Sequence, residues 1–157
     1  MFQGCSQRAN FAALTQVSRF NQVKLTTKGR YAVTAMLDLA VHQKKSETVA
    51  LADIAKRQGL SQSYLEQLLG TLRRKGLVNS IRGAQGGYAL AKPLTDISVA
   101  EIILAIEEPL DTTKCAGASN CQKGERCMTH KLWSQLNNVI ITFLDDVSLQ
   151  KLVDDYK

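Results

Sequence analysis

Three thiols and an imidazole fall within sixteen positions of this 157-residue chain, in Cys115-Ala-Gly-Ala-Ser-Asn-Cys121-Gln-Lys-Gly-Glu-Arg-Cys127-Met-Thr-His130. Their spacing is C-x5-C-x5-C-x2-H, in a stretch rich in Gly, Ala, Ser, Asn and Lys that has no apolar period. Thiolates and imidazole are ligands for zinc and for iron-sulfur centres alike. Structural zinc sites usually pair their thiols two to four residues apart, and two five-residue gaps fit that habit poorly, so an iron-sulfur cluster is the first reading. Zinc is the second and unligated thiols the third. A disulfide framework is the weakest, because the thiols crowd one short segment and no secretory h-region precedes them. Curling the sulfurs toward one centre requires a loop, and Gly117, Asn120 and Gly124 are expected to take positive φ there. Cys5 lies far from this group and is read as no ligand.

The elements that must position this loop lie on both sides of it. After it, Trp133, Leu136, Ile140, Phe143 and Val147 step by 3, 4, 3, 4 along a helix expected from about Thr129 to Asp146, a coiled-coil seam widened by Leu132, Val139 and Leu144. Such a stripe is either internal core or a dimer helix, and the dimer reading is favoured because a reader of symmetric DNA needs a twofold partner. Ser148 is expected to cap a short last helix carrying Leu149, Leu152 and Val153. Before the loop, Ser98 and Glu101 form a capping box for a helix that buries Val99, Ile102, Ile103 and Ile106.

Further upstream, Val33, Met36, Leu37 and Ala40 repeat at helical spacing, with Thr26 or Thr27 as cap, predicting a first helix to about His42, a surface residue at its end. A second helix runs from Leu51 to Gln58 and stops at Gly59. Ser61 then caps a third, with Leu65, Leu68, Leu69 and Leu72 on one face and Gln62, Ser63, Glu66, Gln67, Arg73 and Arg74 on the other. Two short helices about a tight glycine turn are either a plain αα-hairpin or a helix-turn-helix whose polar face enters a major groove. The next stretch favours the second. Leu77–Ile81 and Tyr88–Ala91 read as a hairpin with the glycine-rich tip Arg82-Gly-Ala-Gln-Gly-Gly87, which makes a winged helix and puts Arg82 where a minor groove would lie. Gly83, Gly86 and Gly87 do not open a helix in a βαβ unit, so a nucleotide phosphate loop is a poor alternative.

Charge divides the same way. Residues 1–23 carry +2, residues 24–92 carry +8 and residues 93–157 carry −4, so the middle is expected to face a polyanion such as double-stranded DNA. An apolar fraction of 45% supports a core. No apolar run approaches the roughly 18 residues of a membrane span, so a cytoplasmic protein without membrane contact is expected. Residues 1–23 are read as a disordered extension or an upstream start, with a transit peptide as the other option. The expected architecture is mainly α with a small β-hairpin wing. A winged helix-turn-helix over 24–95 is followed by the cluster-binding loop and a long C-terminal dimerisation helix over 96–157. No carboxylate or oxyanion site accompanies Cys127 and His130, so a hydrolytic or nucleophilic enzyme is not expected. A zinc-stiffened winged-helix repressor with no redox sensing, and a cluster carrier or redox enzyme with the basic helix face incidental, are the remaining alternatives.

Leu25-Thr-Thr-Lys-Gly-Arg-Tyr-Ala-Val-Thr-Ala-Met36, Leu51-Ala-Asp-Ile-Ala, Ser61-Gln-Ser-Tyr-Leu-Glu-Gln67, Gly76-Leu-Val78, Arg82-Gly83, Gly86-Gly-Tyr88 and the thiol loop together resemble the IscR family of bacterial iron-sulfur cluster regulators, over about residues 23–154. That resemblance implies a homodimeric transcription factor, repressor and activator, with one 2Fe-2S cluster per subunit on Cys115, Cys121, Cys127 and His130. The cluster would come from the iron-sulfur assembly machinery, whose genes the protein would control. It also implies that Glu66 discriminates between classes of promoter site, with Ser61, Ser63, Tyr64 and Gln67 near bases or backbone and Arg82 in the minor groove. Lys28, Arg30 and Tyr31, in the first of the resembling segments, join Gln62, Arg73 and Arg74 in the expected DNA-facing set. The chain departs from the family pattern at the wing tip, where Ala84-Gln85 replaces the frequent Pro-Gly, and in a longer loop at Gln43–Thr48. It also stops soon after its last helix.

Overall fold

The computed structural model describes residues 26–43, 48–83, 86–106, 115 and 118–156. The leader with Cys5, the wing-tip pair Ala84-Gln85, Gly117 and most of the Gln43–Thr48 loop lie outside the described residues.

Helix α1 (Thr27–His42) starts where the Thr26 hydroxyl accepts a hydrogen bond from the Gly29 N–H at 3.2 Å. Its inner face buries Ala32, Ala35, Met36 and Leu39, so the buried face is centred on these, while Val33, Leu37 and Ala40 of the expected stripe are only partly buried at its border. Helix α2 (Leu51–Gln58) ends at Gly59, whose φ of 63° is left-handed, and the N–H of Leu60 reaches back to the Ala55 carbonyl at 3.0 Å. Helix α3 (Gln62–Arg74) begins at Ser61, which accepts from the Tyr64 N–H, and it buries Leu65, Leu68, Leu69 and Leu72. The expected helix-turn-helix is therefore present, with both ends of the turn chemically specified.

Strands β1 (Val78–Ile81) and β2 (Gly87–Leu90) pair antiparallel in the register Val78 to Leu90 and Ile81 to Gly87. The hairpin does not stand alone. Val49 exchanges both backbone hydrogen bonds with Tyr88, at 2.8 and 2.9 Å, and so acts as a one-residue third strand ahead of α2. This approach requires a glycine beside it, since a Cβ on Gly87 would lie 2.4 Å from the Val49 carbonyl oxygen. Gly87→Ala is expected to cost about 2 kcal/mol or more through the backbone shift it forces. Thermal unfolding checks this, and a Tm within a degree of the parent would mean the wing yields freely. A further tie runs from α3, where Arg73 donates to the Ser80 hydroxyl at 2.8 Å.

Helix α4 (Val99–Ile106) buries Val99, Ile102, Ile103 and Ile106 as its period predicts. Of the expected capping box, one half forms. The Ser98 hydroxyl accepts from the Glu101 N–H, while the Glu101 carboxylate turns instead to Lys92 at 2.5 Å. Helix α5 (His130–Asp145) and helix α6 (Leu149–Tyr156) close the chain, and Ser148 caps α6 as expected. Val99 N–H to the Val147 carbonyl and Leu149 N–H to the Ile97 carbonyl pin the junction of α5 and α6 to the start of α4. One core joins α1 to α4, the root of the wing and Leu149 of α6.

A buried charge sits in this fold without any motif to announce it. Asp38 of α1 accepts from Arg57 Nε at 3.0 and 3.1 Å, from an Arg57 terminal nitrogen at 2.6 Å, and from Gln58 at 2.7 Å. Burial opposes its charge most strongly, yet the hydrogen bonds from Arg57 and Gln58 and the charges of Arg57 and His42 together hold its carboxyl below the ordinary 3.8. A depressed folded value means that the stabilisation is complete above the unfolded value and is lost as pH falls below about 4 through the folded one. Asp38→Asn is expected to cost about 1–2 kcal/mol, because it weakens the charge-assisted hydrogen bonds from Arg57 and Gln58 to a buried side chain. It should also flatten acid unfolding below pH 4; a variant with the parent's urea midpoint would show that α2 does not depend on this pair.

Candidate functional site

The loop that carries the thiols is built on a tight reversal. Gln122 and Glu125 exchange backbone hydrogen bonds at 2.9 and 2.8 Å around Lys123 and Gly124, whose φ values are 50° and 89°. Two consecutive positive φ values make a type I′ turn, which folds Cys127 back on Cys121. The N–H of Cys127 then donates to Cys121 Sγ at 3.2 Å. Positive φ falls on Ser119, Lys123 and Gly124; Asn120, expected to supply one, does not take it.

His130 opens α5, and its N–H reaches the Cys127 carbonyl at 3.2 Å. The ring is buried, 5% exposed, with Nδ1 at 3.5 Å from both Cys115 Sγ and Cys121 Sγ. Cys115 is 8% exposed, and the donor atoms of Cys115, Cys121 and His130 all lie within 4.8 Å of one another. Cys127 stands at the edge of this group with its sulfur 3.7 Å from the Thr129 hydroxyl. The Cys127 thiol is held below its ordinary value, first by its contact with the Cys121 thiol and then by Thr129. At Cys121 the backbone N–H of Cys127 pulls down, but the thiols of Cys127 and Cys115 and burial outweigh it and push the value up. Two sulfurs and one imidazole nitrogen converging at the positive end of a helix, with the Cys127 sulfur at their edge, fit a metal ion or an iron-sulfur centre, both of which take deprotonated thiols.

The other ring nitrogen, Nε2, faces two hydroxyls, Ser119 Oγ at 3.1 Å and Ser134 Oγ at 3.2 Å. Neither was among the residues expected from sequence. Ser134 lies four residues past His130, a helical neighbour that spacing could have flagged, whereas Ser119 reaches the ring only through the loop's path. Thr129 also bonds the Trp133 indole N–H at 3.1 Å, tying the first turn of α5 to the loop.

On the far side, α3 presents Gln62, Ser63, Glu66, Gln67, Arg73 and Arg74 to solvent, and Arg82 stands exposed at the foot of the wing. Tyr64 is half-buried and meets Tyr31 of α1 edge to face at 6.0 Å, so two of the expected DNA-facing residues brace each other. Arg30 is exposed. Lys28 points across to the Ile106 carbonyl at the end of α4, at 3.4 Å. The hydroxyl of Ser61 is engaged as the α3 cap. Of the seam residues, Trp133 and Phe143 are exposed, Leu136 and Ile140 half-buried, and Val147 lies just beyond the end of α5. Leu132 and Val139 add to the exposed stripe, at 56% and 66%.

Known proteins resemble this chain in sequence and fold. The HTH-type transcriptional regulator IscR of Photorhabdus laumondii is 53% identical over 133 residues, covering 85% of this chain and 80% of that one. The regulator of the same name from Vibrio atlanticus is 55% identical over 133 residues, covering 85% and 76%. Among solved structures, T. potens IscR is 41% identical with a TM-score of 0.71, over 85% of this chain and 88% of that chain. CymR, the global cysteine regulator of B. subtilis, is 34% identical with a TM-score of 0.73, over 87% and 99%. The two relatives from Photorhabdus and Vibrio are transcriptional regulators by name, and among the described residues no helix is long and apolar enough to cross a membrane. The Rrf2 model, described as an iron-dependent transcriptional regulator, matches residues 25–155, and with the winged helix in place the chain belongs to that family of transcriptional regulators.

Proposed function

We propose that the chain is a homodimeric, iron-sulfur-sensing regulator of promoter DNA that holds one 2Fe-2S cluster per subunit through Cys115, Cys121, Cys127 and His130. The observation that carries this reading is the convergence of Cys115, Cys121 and His130 donor atoms within 4.8 Å at the start of a helix whose outer face is apolar and exposed among the described residues. When bound, such a cluster supplies one-electron redox chemistry and a lability that the side chains lack alone. The thiolates bring negative charge to the positive end of α5, and His130 joins the loop to that helix directly. In this reading residues 24–95 read DNA, residues 96–157 sense and dimerise, and the cytoplasmic assembly machinery supplies the cluster. Support comes from the iron-dependent description of the family and from relatives that bear the name IscR.

A second reading has its own support, since three donors so close to one another also suit a single tetrahedral ion. That would be a zinc-stiffened repressor. A visible absorption spectrum of anaerobically purified protein separates the two. Charge-transfer bands that bleach on reduction or in air are expected; a colourless protein carrying zinc would establish the second reading.

DNA recognition rests on the exposed polar face of α3 and on Arg82. Arg82→Ala is expected to weaken operator binding by about 1–3 kcal/mol in both metal states. Titration by fluorescence anisotropy checks it, and an unchanged Kd would remove the wing from the contact surface.

A further inference from the structure

A neutral imidazole has one nitrogen that donates and one that accepts, and which is which depends on its neighbours. Around His130 the neighbours differ sharply. Nδ1 faces the Cys115 and Cys121 sulfurs, both at 3.5 Å, and Nε2 faces the Ser119 and Ser134 hydroxyls at 3.1 and 3.2 Å. Hydroxyls donate and accept well whereas thiols donate weakly and accept poorly, so a ring proton finds a good acceptor only on the Nε2 side while a bare Nδ1 can still take the weak S–H donors. A proton on the ring is therefore better placed on Nε2.

Ser134 is carried to the ring by α5 itself, one turn beyond His130. Ser119 arrives with a φ of 60°, a conformation that non-glycine residues rarely adopt. Backbone held in such a state marks a position that its surroundings specify strongly.

We infer that Ser119 and Ser134 are positioning residues for the metal centre: their hydroxyls keep the proton on Nε2 of His130, leaving Nδ1 bare and aimed at Cys115 and Cys121. The inference rests on the metal-binding reading of the site, but not on which metal fills it. Ligation at Nδ1 then needs no change of tautomer and no rotation of the ring, because the partners that orient a ligating histidine are in place before the metal arrives.

The test uses two readouts on the full chain. In reduced, metal-free protein with nitrogen-15 histidine, long-range proton-nitrogen correlation should show His130 protonated at Nε2. In Ser119→Ala/Ser134→Ala the tautomers should mix, and Ser134→Thr, which retains a hydroxyl, should resemble the parent. With cobalt(II) alone as probe, the double alanine variant should bind about 10–100-fold more weakly, again with Ser134→Thr close to the parent. A parent protonated at Nδ1, or a double variant with unchanged tautomer and cobalt affinity, overturns the inference. A double variant that loses operator binding to metal-free protein would also overturn it, because the serines would then serve the fold at large. A parent that binds cobalt tightly yet never takes up a cluster would defeat the proposed function and leave this inference standing. A parent that loads a cluster normally, with the tautomer indifferent to both serines, would do the reverse.

Discussion

Cys115→Ala is expected to abolish the visible chromophore and any tight metal uptake while leaving the protein folded, dimeric and able to bind some DNA. Two features of the structure carry this expectation. The sulfur of Cys115 lies 3.5 Å from His130 Nδ1 inside the buried part of the donor group, so its loss removes a ligand where solvent cannot easily replace it. Yet Cys115 is no part of the core that joins α1 to α4 with the wing and α6. Removing one of four ligands should cost about 3 kcal/mol of binding or more, taking a quarter of the roughly 10–16 kcal/mol of a four-ligand thiolate site, whereas the fold should lose about 1 kcal/mol or less. Anaerobic absorption spectra, metal analysis and operator titration on one preparation would check all three points. Loss of DNA binding in every form would show that the loop holds the reading head together, and would count against sensing.

Phe143→Asp is expected to give a folded monomer with operator affinity reduced by about 100-fold to 10,000-fold. The side chain is 62% exposed, so an aspartate there meets water and costs the monomer little. Phe143 belongs to a stripe with Leu132, Trp133 and Val139 that no described part of the chain covers, and exposed apolar area of this kind marks an interface. Burying a charge in a symmetric interface places it there twice, with no partner for either copy. Two half-sites engaged together gain from effective concentration, and that gain is what the monomer forfeits. Sedimentation velocity and anisotropy measured together would check this. A variant that remains dimeric would place the interface elsewhere, and one that unfolds would make the stripe internal core.

Most of the helices were legible in the residues, because each carries its own signals. The apolar period of α3, the Ser61 cap before it and Gly59 after α2 are local features that act through bonds spanning a few residues. The same holds for α1 behind Thr26 and for α6 behind Ser148. The wing was legible for a similar reason, although its pairing with Val49 was not, since that contact links residues almost forty apart that share no pattern. Asp38 with Arg57 escaped notice for the same cause. A carboxylate in a helix ordinarily belongs on the wet face, and only the packing of α2 on α1 buries this one.

At the candidate metal centre, the types and spacing of Cys115, Cys121, Cys127 and His130 limited the chemistry before any folding, and the structure groups the donor atoms of Cys115, Cys121 and His130 with Cys127 beside them. Tertiary structure decided how those donors meet. Which histidine nitrogen faces the sulfurs, which hydroxyls hold the other, and where the loop bends at Ser119 and Lys123 all follow from the path of the backbone. Spacing along a chain sets how far two groups can reach, but a ring's orientation depends on everything packed around it. The α5 stripe shows the same division. Its period required an apolar face, and only the arrangement of the other helices left that face exposed among the described residues.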